Sequence, residues 1–274
     1  MNPSPTMGQT ADIAFFTASF VVYVLAFVLF LVRSATRRTI WGRLAVMVLA
    51  AGFVSQTVAL ILRWNLAGHP PLASMFEYAS VMSWMAAGSL AVLLARTRRF
   101  EIGAYVSPLI IAMMAIASIV PKEIYQQLVP ALQSYWLHIH VSMAAVAEGA
   151  FALSCGLSIA YLIKSGRAQT PPEELERLDS LNHRVISIGY PLFTLGALFA
   201  GAIWAYSAWG SFWSWDPKEV GSWIIWLFYT GYLHARYRRG WRGRRAAILA
   251  IIGFVMVLLS FAGNLFLGGQ HAYG

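Results

Sequence analysis

Ile13-Ala-Phe-Phe-Thr-Ala-Ser-Phe-Val-Val-Tyr-Val-Leu-Ala-Phe-Val-Leu-Phe-Leu-Val32 runs for twenty residues without a charged side chain. A helix of that length rises about 30 Å, the thickness of a bilayer's hydrocarbon core. Backbone in lipid must satisfy its own hydrogen bonds, and the run shows no apolar–polar alternation, so it predicts a spanning helix. Similar runs follow at 44–62, 78–95, 102–120, 141–163 (interrupted only by Glu148), 185–209 and 246–270, with a shorter one at 220–233. The expected fold class is therefore all-α: a polytopic integral membrane protein with eight transmembrane helices. These cover roughly 12–33, 43–63, 76–96, 101–120, 135–164, 184–205, 218–236 and 245–267, in one membrane domain over 1–274. Composition agrees, since 11% of residues are charged where a soluble domain carries about 25%.

The net charge of +9 is a topology signal. Seventeen of the 20 Lys and Arg residues fall in alternate loops, around 33–43, 96–99, 164–184 and 236–245. The loops between them hold only Arg63, Lys122 and Lys218. Basic loops stay on the cytoplasmic side, so both termini are expected outside, and nucleic-acid binding drops out. No Lys or Arg stands in residues 1–10, which reads the first helix as retained and not as a cleaved signal. The 164–183 loop is acidic and is expected to form a short surface helix. Cys155 is the only cysteine. The chain cannot close an internal disulfide, and it has no C-x-x-C-H for covalent haem; a packing role for Cys155 is expected.

The informative loop, 204–220, lies on the expected outer side. Trp204-Ala-Tyr-Ser-Ala-Trp-Gly-Ser-Phe-Trp-Ser-Trp-Asp216 puts four tryptophans, a tyrosine and a phenylalanine within 13 residues. Membrane proteins carry aromatic belts, but a belt is spread over all helix ends. A single dense cluster beside Gly210 predicts a platform for a flat apolar ring system. Asp216-Pro217-Lys218-Glu219 has the pattern of a helix start: Asp at N-cap, Pro at N1 and Glu at N3.

Six histidines complete the chemistry. His69, His138, His140 and His271 fall on the expected outer side, His183 and His234 at inner helix ends. Imidazole is a common axial ligand of haem, and two from different elements could cap both faces of one lying on the tryptophans. His138 and His140 stand about 200° apart on a helix, so only one can reach a given iron. His234 follows Trp223 by eleven residues, about 20° round the helix and 16 Å along it. One face of that span then leads from the platform to an inner histidine, a pattern equally open to a snorkelling polar residue.

Trp209-Gly-Ser-Phe-Trp-Ser-Trp-Asp-Pro-Lys-Glu219 resembles the WWD signature of the CcsA (ResC) family of cytochrome c biogenesis proteins. Tyr135-Trp-Leu-His-Ile-His140, Gly189-Tyr-Pro-Leu-Phe-Thr-Leu-Gly196, Tyr232-Leu-His234-Ala-Arg and Gly268-Gly-Gln-His271 resemble further family segments in the same order, as does Gly68-His69-Pro-Pro-Leu-Ala-Ser-Met-Phe-Glu77. The resemblance implies binding of haem b, with a CcsB (ResB)-type membrane partner, as a subunit of the system II cytochrome c haem lyase. That complex joins haem to the C-x-x-C-H thiols of apocytochrome c. It implies His140 and His271 as external ligands of the haem iron, His234 as a transmembrane ligand, and Trp209, Gly210, Trp213, Trp215, Asp216 and His69 as cofactor-binding. No catalytic residue beyond the haem ligands is expected, because positioning carries the mechanism. The expected location is a bacterial inner (plasma) membrane, the tryptophan loop facing the periplasm, in preference to a thylakoid-like one. Alternatives are a WWD-type haem transporter or chaperone without lyase activity, a transmembrane b-type cytochrome, and a relative that regulates haem synthesis. His138, His183 and Glu148 receive no role.

Overall fold

The structure, a computed structural model, describes the backbone of residues 7–266 and the side chains of 11–263. The described residues are mainly helical and contain no strand. Helices α1 (Met7–Thr36), α2 (Thr39–Ala67), α3 (Met75–Thr97) and α4 (Gly103–Ile119) precede α5 (Tyr135–Ser165), α6 (Pro172–Phe193), a π-helical segment (Thr194–Ala200), α7 (Gly201–Trp209), α8 (Pro217–Arg238) and α9 (Arg244–Phe266). Seven of the described helical stretches are long and apolar enough to cross a membrane. Helix α8 holds the eighth expected span. Its 22 residues give about 33 Å of rise, but Lys218, Glu219, His234, Arg236 and Arg238 lower its apolarity. The chain is a polytopic α-helical membrane protein.

The acidic loop does not form a separate surface helix. Helix α6 starts at Pro172, with Pro171 at the N-cap and Glu173 and Glu174 in its first turn, and continues unbroken into the span. Nothing between Asp179 and Val185 stops it, so the helix extends past the apolar run.

Contacts divide the chain into two compact units that meet between Leu128 and Val129. In the first, α1 pairs with α2, and α4 packs on α1 and α3. Small residues allow the close approach: a Cβ on Gly52 would stand 2.7 Å from Tyr23 Cε1. Polar groups inside this unit are matched to one another. Tyr23 donates to Gln56 Oε1 at 2.8 Å, and the Gln56 amide donates to Ser80 O and Ser83 Oγ at 3.0 and 2.9 Å. Arg63, which the sequence reading places in a loop, is 1% exposed. Its guanidinium reaches Glu77 Oε1 at 2.8 Å, Asp12 Oδ2 at 3.1 Å and the Lys122 and Glu123 carbonyls. An apolar count cannot see a charge neutralised by partners 51 and 14 residues away.

In the second unit α5 packs on α6 and α9, and α8 on α9. Phe151 of α5 stacks on Tyr229 of α8 at 3.7 Å, and Asn182 links to Ser154 and Ser158. At the arginine-rich end Asp179 binds Arg236 and accepts the Gly243 N–H, both at 2.8 Å. Cys155 is buried and free, as a packing residue would be.

Candidate functional site

Three pieces of chain meet at the tryptophan-rich end of the second unit. The first is the start of α5, where Ser134 caps the helix by accepting the Trp136 N–H and places His140 about one and a half turns in.

The second is the π-helical segment. Pro191 cannot donate within the ladder, and three residues later the hydrogen bonding widens to the π pattern over Thr194–Ala200. The segment lies against α5 so closely that a Cβ on Gly196 would stand 2.3 Å from Met143 Cβ. The Gly196 carbonyl accepts the Gly201 N–H and also lies 3.0 Å from His140 Nδ1. A carbonyl only accepts, so this contact places a proton on Nδ1. Trp226 Nε1 donates to Thr194 Oγ1 at 3.1 Å and ties α8 to the same segment.

The third piece is the loop. Helix α7 ends at Gly210, whose φ of 75° needs a residue without a side-chain clash. Trp215 has a φ of 62°, a conformation that costs a bulky residue about 1–3 kcal/mol and clusters at functional sites. Asp216 caps α8 through Lys218 N, and Glu219 completes a capping box, the helix start expected from the sequence. Glu219 Oε2 also accepts the Ser214 N–H at 2.8 Å, whereas its Oε1 is buried without a hydrogen-bond partner.

These pieces line a cleft of about 370 Å³ that is open to the outside, with His140, Gly201, Trp204, Trp213, Lys218 and Glu219 among its lining. The His140 ring stacks on Trp204, with 9° between the two planes and centroids 5.8 Å apart. Trp204 is 2% exposed, donates from Nε1 to Ala131 O at 2.7 Å, and meets Trp209 edge-on at 4.8 Å. Outward from this wall stand exposed aromatics. Phe212 stacks on Tyr206 at 4.4 Å, and Trp215, 70% exposed, meets Trp213 edge-on at 5.8 Å.

The structure thus brings together His140, Trp209, Gly210, Trp213, Trp215 and Asp216. Of the histidine pair on α5, it is His140 that lines the cleft. His271 lies outside the described residues. His234 is exposed at the arginine-rich end of α8, on the same outward face as Trp223, in line with the wheel geometry. His183 packs on Tyr232 and Tyr237, and its Nδ1 is buried without a partner. His69 belongs to the first unit. Its ring nitrogens lie 3.0 Å from Pro70 O and 2.7 Å from Tyr125 O, so it ties its own loop to the one between α4 and α5. Glu148, buried in α5, interacts electrostatically with Lys218. Sequence reasoning missed Trp204 as the wall of the cleft, Gly201 in its lining and Gly196 as the partner of His140. The only local sign was two glycines in an otherwise apolar span.

A haem fits this donor set. The porphyrin fills the equatorial positions of its iron, so the protein supplies only axial nitrogens. One cleft imidazole stacked on an indole meets that need, whereas the described residues contain no group of three or more His, Cys, Asp or Glu able to hold a bare metal ion.

Residues 73–271 match the family model for cytochrome C assembly protein. The cytochrome c biogenesis protein CcsA of Guillardia theta is 36% identical over 248 residues, 81% of this chain and 82% of that one. The corresponding protein of Synechococcus elongatus is 38% identical over 267 residues, 77% and 81% of the two chains. The chain belongs to the CcsA family. Membership gives it a part in cytochrome c maturation and in the haem handling that process entails. The CcsA of Chlamydomonas reinhardtii is 37% identical over 230 residues, and the chain spans 64% of that protein's length. The solved cytochrome c haem lyase CcmF has the same fold, with a TM-score of 0.72 at 16% identity over 98% of this chain and 50% of that one.

Proposed function

We propose that the protein holds haem b at its tryptophan-rich end and, with a CcsB-type partner, presents it for thioether attachment to the C-x-x-C-H motif of apocytochrome c. The observation that carries this reading is His140, held in the cleft against Trp204 with its Nδ1 on a backbone carbonyl. That is how a ligating histidine is oriented: one nitrogen fixed by an acceptor, the other turned to the metal. His140 supplies one axial nitrogen and His271 the other. Trp213 and Trp215 offer ring faces, Trp209 backs the wall through Trp204, and Gly210 and Asp216 shape the turn that presents them. His234 serves the route from the arginine-rich end. His69 enters through the two loops it ties together.

The chemistry needs little from the protein beyond position. A cysteine thiol adds across a haem vinyl group: sulfur bonds the inner vinyl carbon, the thiol proton ends on the outer one, and no oxidant is consumed. The chain holds the ring in one orientation and keeps its vinyl edge within reach. We place the protein in a bacterial inner membrane with this end outward; a thylakoid-like membrane is the alternative, since the relatives include a cyanobacterial protein. A b-type cytochrome would need two histidines converging within the bilayer. His183 packs on Tyr232, and His234 lies about 200° round α8 from that residue, which speaks against one shared iron.

The test is the absorption spectrum of the purified protein, co-expressed with its partner, beside His140→Ala and His271→Ala. A bis-imidazole haem spectrum altered in both variants supports the reading. Bound haem indifferent to both changes overturns it.

A further inference from the structure

The surroundings of His140 form a device with an identifiable purpose. In an α-helix a backbone carbonyl accepts the N–H four residues on. Over Thr194–Ala200 the ladder is widened to five, and the Gly196 carbonyl is shared between the Gly201 N–H and His140 Nδ1, the latter at 3.0 Å. The imidazole also occupies the space a side chain would need at Gly201: a Cβ there would lie 2.8 Å from Nδ1 and 2.9 Å from Cε1 of His140. On the other side, Trp204 lies parallel to the ring. Carbonyl, bare glycine and indole all come from one continuous stretch of ten residues or so, and together they restrict both the tilt of the ring and the nitrogen that carries the proton.

We infer that the π-helical segment is a positioning element for His140, acting through the Gly196 carbonyl and the missing side chain of Gly201. It holds the ring with Nε2 toward the ligand and raises the donor strength of that nitrogen. The inference rests on the reading of His140 as an axial ligand. The physical reason is that an N–H shared with a carbonyl leaves the imidazole more electron-rich, which strengthens its bond to a metal and favours the oxidised iron. The π turn widens the ladder at this point, and the Gly196 oxygen that it carries toward α5 serves both the Gly201 N–H and His140 Nδ1. Gly196 and Gly201 then have separate tasks. The first lets α5 approach, and the second makes room for the imidazole.

Two changes test it on the full chain co-expressed with its partner. Gly201→Ala pushes a methyl group into the ring and nothing else within close reach. Nδ1-methylhistidine incorporated at His140 removes the donated hydrogen and keeps Nε2 intact. Both are expected to weaken haem binding about 10- to 100-fold, the usual cost of losing a partner of a metal ligand. Both should also shift the haem midpoint potential upward and alter the low-spin absorption bands. The methylhistidine variant carries the test if Gly201→Ala fails to fold, because it leaves the helix sequence untouched. An unchanged potential and spectrum in the methylhistidine protein, with His140→Ala abolishing the signal, overturns the positioning role while leaving His140 a ligand. An unchanged spectrum in His140→Ala overturns both.

Discussion

Trp204 and Trp215 belong to one aromatic cluster, eleven residues apart, and the structure predicts opposite consequences for their loss. Trp204 is 2% exposed, touches His140 and Trp209, and satisfies the Ala131 carbonyl. Truncation to Ala leaves a cavity and an orphaned acceptor, and a buried aromatic so removed costs about 3–5 kcal/mol. Trp215 is 70% exposed with a φ of 62°. Changing it to Gly relieves about 1–2 kcal/mol of left-handed strain. Against that stand about 0.5–1 kcal/mol for the freer unfolded chain and about 0.5–1.5 kcal/mol for the edge contact with Trp213. Trp215→Gly should therefore lie within about 1 kcal/mol of the parent protein in stability. If it offers a face to haem, its loss removes an aromatic pairing of about 0.5–1.5 kcal/mol, a two- to twelve-fold weaker affinity. The assay is unfolding in mixed detergent micelles followed by circular dichroism, paired with a haem titration of each variant. Equal destabilisation of the two variants, or a Trp204→Ala protein as stable as the parent, would refute the division between wall and exposed face.

Three other outcomes follow from the same geometry. Arg63→Met leaves Asp12 and Glu77 as buried, uncompensated carboxylates and should cost about 3–5 kcal/mol. Adding Asp12→Asn and Glu77→Gln should recover most of it in the same unfolding assay, because Gln retains the capping box with Ser74. Asp216→Ala removes the α8 cap and should cost about 0.5–2 kcal/mol, seen first as faster hydrogen exchange at Lys218 and Glu219. Asp179→Asn weakens the tie to Arg236 and keeps an acceptor for Gly243, so a loss of about 1–3 kcal/mol is expected from the charge-assisted bond, with the haem spectrum unchanged.

Local composition determined the membrane helices, since an uncharged run of about 20 residues has few alternatives in lipid. It also marked the start of α8, because Asp-Pro-Lys-Glu satisfies helix-end donors within its own four residues. The aromatic cluster was legible for the same reason: density of tryptophan is a property of the chain, as is the 200° separation of His138 and His140 on one helix. Tertiary structure decided the rest. The Arg63 cluster joins residues far apart in sequence, and no periodicity announces that a charge will be neutralised. The extension of α6 back to Pro172 depends on the absence of a stop signal, which an apolar count does not register. Above all, His140 becomes the oriented nitrogen through a carbonyl 56 residues away, presented by a π turn whose hydrogen-bond register no residue type encodes.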